Sequence, residues 1–184
     1  ASGAFTACST TPLCEAVGTG RCFYISALTG SDSNPGTFAS PWKTYKNIIS
    51  YYGGAGQPST WVQLRAGDVV YFMSGLYRDL VSYNGQTFAF FIRFLNGTAS
   101  ARVTFKAYPG AHPIVTPSGP SEGIYFLQSS YLLLEGFEVN RATLHAVRFA
   151  ESSNIEARNL WVHDTDGEDN DNLAGVYANV ASNI

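Results

Sequence analysis

Toward the C-terminal third, apolar positions come in short alternating runs broken by Ser, Asn and Gly, and the runs repeat. Residues 123–139, GIYFLQSSYLLLEGFEV, set above 146–162, AVRFAESSNIEARNLWV, align at an offset of 23. Ile124 falls over Val147, Phe126 over Phe149, Ser130 over Ser153, Leu132 over Ile155, Phe137 over Leu160 and Val139 over Val162. A third copy, GVYANVASNI at 175–184, follows at 29, with Val176, Ala178, Ser182 and Ile184 under Val147, Phe149, Ser153 and Ile155. The six extra residues are GEDNDN, 167–172. A unit this short has no room for a strand–helix–strand crossover, which needs about 30 residues. It suits one coil of a parallel β-helix, in which equivalent residues stack about 4.8 Å apart and apolar columns build a continuous interior. Two outward columns support the register, because Glu135 lies over Arg158 and Arg141 over Asp164, opposite charges on neighbouring coils.

Upstream the period changes. In SPWKTYKNIISYYGG, residues 40–54, Ser40 suits a helix N-cap, Pro41 the first turn and Gly53-Gly54 the end, while Trp42, Tyr45, Ile49 and Tyr52 share one helical face. This predicts an α-helix over 41–52 that caps the open N-terminal end of the solenoid. Between cap and repeats, DVVYFM (68–73), FAFFIRFL (88–95) and RVTFKAY (102–108) read as strands. The expected organisation is a cysteine-containing segment, 1–22, followed by an all-β solenoid with its capping helix over 23–184.

Composition narrows the partners. The 184 residues carry a net charge of −3 and no Lys/Arg run, which argues against nucleic acid. No apolar stretch is long enough to span a bilayer, so no membrane partner is expected. Cys8, Cys14 and Cys22 cluster near the start, as suits a disulfide in an exported segment. Three pairings are open.

FYISALTGSDSNPGTFASPWKTYKNI (23–48), AGDVVYFMSGLYRD (66–79) and RVTFKAYPGAHPIV (102–115), with LEGFEV and SNIEARNLWVHDTDG further on, resemble the opening of secreted right-handed parallel β-helix proteins, the family-nine pectate lyases among them. The resemblance implies a right-handed β-helix, a secreted or cell-surface location and an acidic polysaccharide as partner. It also implies β-elimination, in which calcium held by Asp residues neutralises a uronate and a Lys or Arg removes the adjacent proton. The sequence departs from that pattern: its lysines are Lys43, Lys46 and Lys106, none on the repeats, so no catalytic residue is carried over. The chain breaks off at Ile184, which matches mid-strand Ile155. Either further coils follow, or the open coil is covered by another chain.

The chemistry the residues themselves suggest lies in two places. HDTDGEDNDN, 163–172, holds five of the fourteen carboxylates, Asp164, Asp166, Glu168, Asp169 and Asp171. Such a set, with Asn and backbone carbonyls, supplies the oxygen ligands calcium takes, and equally makes a solvated acidic turn. The outward column Tyr125, Arg148, Tyr177 offers aromatic faces for sugar rings and a guanidinium for a carboxylate, and equally makes a column stacked on itself. His163 reads as a turn histidine hydrogen-bonded to Asp164; His112 and His145 show no partners in the nearby sequence. Two functions compete: an extracellular protein that acts on or binds acidic polysaccharide, and a non-catalytic surface or self-assembling solenoid.

Overall fold

The structure, a computed structural model, describes residues 12–119, 121–165, 175–179 and 182–184. In chain order the strands are β1 (Cys22–Ile25), β2 (Val69–Phe72), β3 (Gly75–Tyr77), β4 (Val81–Tyr83), β5 (Gln86–Arg93), β6 (Val103–Ala107) and β7 (Pro113–Val115). They continue as β8 (Glu122–Leu127), β9 (Leu132–Glu135), β10 (Glu138–Asn140), β11 (Val147–Ala150), β12 (Glu156–Arg158), β13 (Trp161–His163) and β14 (Val176–Asn179). Three sheets collect them, in the orders β1-β2-β6-β9-β12, β13-β10-β7-β3 and β14-β11-β8-β5-β4. Pairing is parallel throughout except between β4 and β5. From β6 onward the chain visits the first, second and third sheet in rotation, and each return lands beside the strand laid down one circuit earlier.

The register follows the repeat read from the sequence. Ile124 pairs with Val147 and Phe126 with Phe149; Val147 pairs with Val176, Val139 with Val162, Ser130 with Ser153, and Ser153 with Ser182. Strand alternation turns these columns inward, where Phe72, Phe90, Phe105, Phe126 and Phe149 pack at ring-centroid distances of 5.8, 5.2, 5.6 and 5.8 Å. Of the two outward charge pairs, Arg158–Glu135 forms an ion pair at 3.1 Å. Arg141 and Asp164 are neighbours only through the backbone, Arg141 N–H donating to the Asp164 carbonyl, while the Asp164 carboxylate faces His163.

Corners between strands are also stacked. Phe94, Gln128 and Glu151 share left-handed backbone with φ of 58°, 50° and 48°, and Tyr131, Asn154 and Asn183 with 54°, 54° and 53°. Each N–H in the first set donates to a carbonyl of the next circuit, which holds non-glycine residues in a conformation costing about 1–2 kcal/mol each.

The helix expected over 41–52 is absent. The segment instead carries two short 3₁₀ turns, Tyr45–Asn47 and Tyr52–Gly54, the second turning at Gly53 with φ of 57°. The reason lies in where its backbone donors go. Trp42 N–H donates to the Tyr24 carbonyl, Lys43 and Thr44 N–H to Asp32 Oδ1, and Ser50 N–H to the Phe91 carbonyl. Trp42 and Lys43 would be first-turn donors without a helical acceptor in any case, but Thr44 and Ser50 N–H would bond the Ser40 and Lys46 carbonyls, and their commitment to Asp32 and Phe91 breaks the i to i−4 ladder. The apolar residues still cover the end of the interior, since Trp42, Tyr45 and Ile49 are buried, but Tyr52 is exposed.

Cys14 is bonded to Cys22; Cys8 lies outside the described residues. The bridge anchors a strap across the outer face of the first sheet, where Tyr24 Oη donates to the Leu13 carbonyl at 2.6 Å and Glu15 N–H to Tyr71 Oη at 3.1 Å. Closing this short loop is worth about 2.5 kcal/mol by chain entropy. The double variant C14S/C22S should lose about that much in denaturant unfolding; an unchanged midpoint would show that the strap is held without the bridge.

Candidate functional site

The second sheet presents an outer face built from two columns. Leu76, Ile114, Glu138 and Trp161 are register partners, and Asn140 pairs with His163 beside them. The alternate residues Val115 and Val139 point into the core. Glu138 therefore faces outward, yet its side chain is only 7% exposed, because its neighbours close over it. His112 Nε2 lies 2.8 Å from Glu138 Oε2, reaching it from the turn before β7. His163 Nε2 and Asn140 Nδ2 meet Glu138 Oε1 at 3.1 and 2.8 Å, and Thr116 Oγ1 in turn donates to Asn140 Oδ1. Oε1 accepts hydrogen bonds and Oε2 has a ring nitrogen against it, which is what allows this carboxylate to be shielded from water.

His163 has carboxylates on both sides, Asp164 Oδ2 at 3.0 Å from Nδ1 and Glu138 Oε1 at Nε2. Ionised carboxylates only accept, so both bonds require both ring nitrogens to carry protons, and the site selects the imidazolium. The bonds to Asp164 and then to Glu138 accordingly hold the His163 pKa above the ordinary histidine value. Trp161 stands between the two histidines with its ring centroid 6.2 Å from His112 and 4.6 Å from His163. It is 59% exposed, so much of the indole is open to solvent beside a carboxylate–imidazole set.

Of the acidic turn, Asp164 is described, with its side chain 70% exposed and bonded to His163. Asp166, Glu168, Asp169 and Asp171 lie outside the described residues. Among the described residues no three His, Cys, Asp or Glu side chains converge to hold a metal ion.

The column Tyr125, Arg148, Tyr177 is assembled on the third sheet by direct register. Arg148 lies 4.7 Å from the Tyr125 ring centroid and 5.7 Å from that of Tyr177, while its Nη1 donates to Glu122 at 2.7 Å. His145 meets the same carboxylate at 3.0 Å and stacks on Tyr177. Tyr125 is buried beneath the guanidinium and against Phe88 and Phe91. The column is charge-matched within itself.

Lys106, in β6, lies against Glu15 and Glu135 at 2.8 and 3.5 Å. Burial disfavours its ammonium, but the two carboxylates outweigh burial and its pKa lies above the usual lysine value. A lysine held protonated is poorly placed to act as a base.

Sequence reading gave His163 its Asp164 partner and missed the rest of the site. His112 and His145, which have no partners nearby in sequence, each lie against a shielded glutamate. The signal was present in the repeat, whose offset of 23 also puts Glu138 over Trp161 and Asn140 over His163, but outward columns carry no apolar signature to draw attention to them.

No protein-family profile matches the sequence, and no curated protein does. Solved structures do. The GH136 lacto-N-biosidase from Eubacterium ramulus superposes with a TM-score of 0.63 at 16% identity, covering 89% of this chain and 31% of its own. Pectate lyase Pel9A gives 0.56 at 20% identity, with 80% and 34% covered. A rhamnogalacturonan lyase gives 0.54 at 23%, with 77% and 35% covered. The chain shares a β-helix-type fold with these proteins and spans about a third of their length.

The pairing of His163 is directly measurable. A histidine whose folded pKa is raised contributes stability that is fully present below its unfolded value, about 6.5, and lost as pH rises through the folded value. An NMR titration of the His163 ring should give a midpoint above about 6.5, moved down by E138Q and by D164N. A midpoint at or below that of a free imidazole would mean the two contacts do not form in solution.

Proposed function

We propose that this protein is an exported right-handed parallel β-helix that binds acidic polysaccharide along the outer face of its second sheet. The observation that carries the reading is Trp161, an exposed indole placed beside the shielded Glu138 and between His112 and His163. An aromatic face stacks on a sugar ring, and the polar groups around it fix which ring it accepts. His163 spends both of its N–H groups on Asp164 and Glu138, so it braces the indole at 4.6 Å and leaves the contact with the sugar to Trp161.

The shared fold supports a polysaccharide-related role, and a disulfide fits an oxidising compartment. No helix among the described residues is long and apolar enough to cross a membrane. Binding rests on Trp161 rather than on the Tyr125, Arg148, Tyr177 column, whose guanidinium is already neutralised by Glu122. In this reading the acidic turn from Asp164 to Asp171 is where calcium would bind, tightening the hold on a polyanion.

Affinity electrophoresis in polygalacturonate gels, with and without calcium, tests the reading. Retention of the intact protein should weaken by about tenfold or more in W161A, an aromatic contact of the hot-spot kind. Equal retention of W161A would move the site elsewhere. Ultraviolet absorbance of the same mixtures reads any unsaturated uronate released by cleavage. Light scattering separates a glycan binder from a self-assembling solenoid, which would give large particles and no retention.

A further inference from the structure

A second concavity lies on a different sheet from Trp161. A groove of about 250 Å³ opens between the segment around Tyr51 and Trp61 and the end of β5, lined by Tyr51, Gln57, Trp61, Tyr83, Arg93 and Phe94. Three features of its wall are unusual together. Arg93 is held from several directions: its Nε donates to Gln128 Oε1 at 3.0 Å, its Nη1 donates to Tyr83 Oη, and the guanidinium lies 4.1 Å from the Phe94 ring centroid. Gln128 is itself fixed, its Nε2 donating to Glu151 Oε2 at 2.7 Å.

Second, this oriented cation lacks a counter-charge. Arg21 and Arg65 meet Asp68, Arg148 meets Glu122 and Arg158 meets Glu135, whereas among the described residues no carboxylate forms an ion pair with Arg93, nor with Arg78, Arg102 or Arg141, and of these four Arg93 is the one that lines this groove. The nearest acid in its network, Glu151, acts through the neutral Gln128 amide. Third, the wall is aromatic beyond what packing requires. The stacked corner accounts for the left-handed backbone of Phe94 but not for a phenyl ring that is 60% exposed there.

We infer that this groove is a second glycan subsite that takes one carboxylate-bearing sugar residue. The free edge of the Arg93 guanidinium meets the carboxylate in two-point geometry, the rings of Trp61 and Phe94 flank the sugar, and Gln57 supplies amide groups to its hydroxyls. The inference takes its ligand class from the reading above and none of its residues. Two subsites on different sheets would hold separate stretches of polymer, so that one molecule gains avidity on a polysaccharide gel without any further contact.

The test uses W161A, in which the remaining tryptophans are the buried Trp42 and the groove residue Trp61. Titrating it with a uronic acid trisaccharide should change its fluorescence saturably. Adding R93Q should weaken that binding by about tenfold or more, as should replacing the trisaccharide with its methyl ester, because a charge-assisted pair is lost. If R93Q disturbs folding by circular dichroism, F94G replaces it, since glycine accepts the corner backbone; it should weaken binding likewise. An R93Q or F94G titration within about twofold of the parent, or an ester bound as tightly as the acid, would overturn the inference. Loss of all binding in W161A would also overturn it while leaving the first site standing. Full binding in W161A that depends on Arg93 would keep the groove and remove the first site.

Discussion

Everything in this molecule depends on parallel strands stacking in register one circuit apart. A parallel ladder fixes not only which backbone groups bond but which side chains stand above one another, and alternation then assigns each column to the interior or the surface. Here the interior columns are large and apolar, so a slip of one residue would send Phe126 and Phe149 outward and bring Arg148 and Tyr125 in. The hydrophobic effect therefore pins the register without any single strong contact. The corner residues follow, since once strands are pinned the chain must turn at the same place in every circuit, even where Phe94, Gln128 and Glu151 must adopt left-handed backbone.

The same constraint makes surface sites from residues far apart in sequence. Glu138 receives His112 from one circuit and His163 from the next, and Glu122 receives His145 and Arg148 from the circuit after it. Each glutamate is shielded on an outward face, where an unpaired carboxylate would cost several kcal/mol to bury. The stacking that builds the core thus sets charges at fixed spacing on the outside. The two faces differ in what is left over. On the third sheet Arg148 is covered by rings and cancelled by Glu122; on the second, Trp161 is open and His163 keeps a carboxylate on each side.

The N-terminal end is held by polar anchors rather than by repeats. Asp68 is fully buried and accepts from Arg21 through both backbone and guanidinium and from the Arg65 backbone, which ties the segment before β1 to the turn before β2. Asp32 does the same for Lys43 and Thr44. Asp32, together with the Phe91 carbonyl that takes the Ser50 N–H, explains why an amphipathic stretch with good caps does not become a helix.

The amino-acid sequence by itself determined the period, the inward columns, the sheet register from Ile124 to Ser182 and the Glu135–Arg158 pair, because each is written as a recurring residue type at constant spacing. It placed strands at 68–73, 88–95 and 102–108 within a few residues of those observed. It also showed that Trp42, Tyr45 and Ile49 belong against the interior. Only the tertiary structure decided the conformation of that segment, since its hydrogen bonds run to Asp32, Tyr24 and Phe91 and leave no periodic trace. Only the structure chose Cys14–Cys22 among three pairings. The partners of Glu138, Glu122 and Arg93 were likewise decided by it, because polar contacts between circuits depend on rotamers and short distances, which a spacing of 23 residues permits but does not specify.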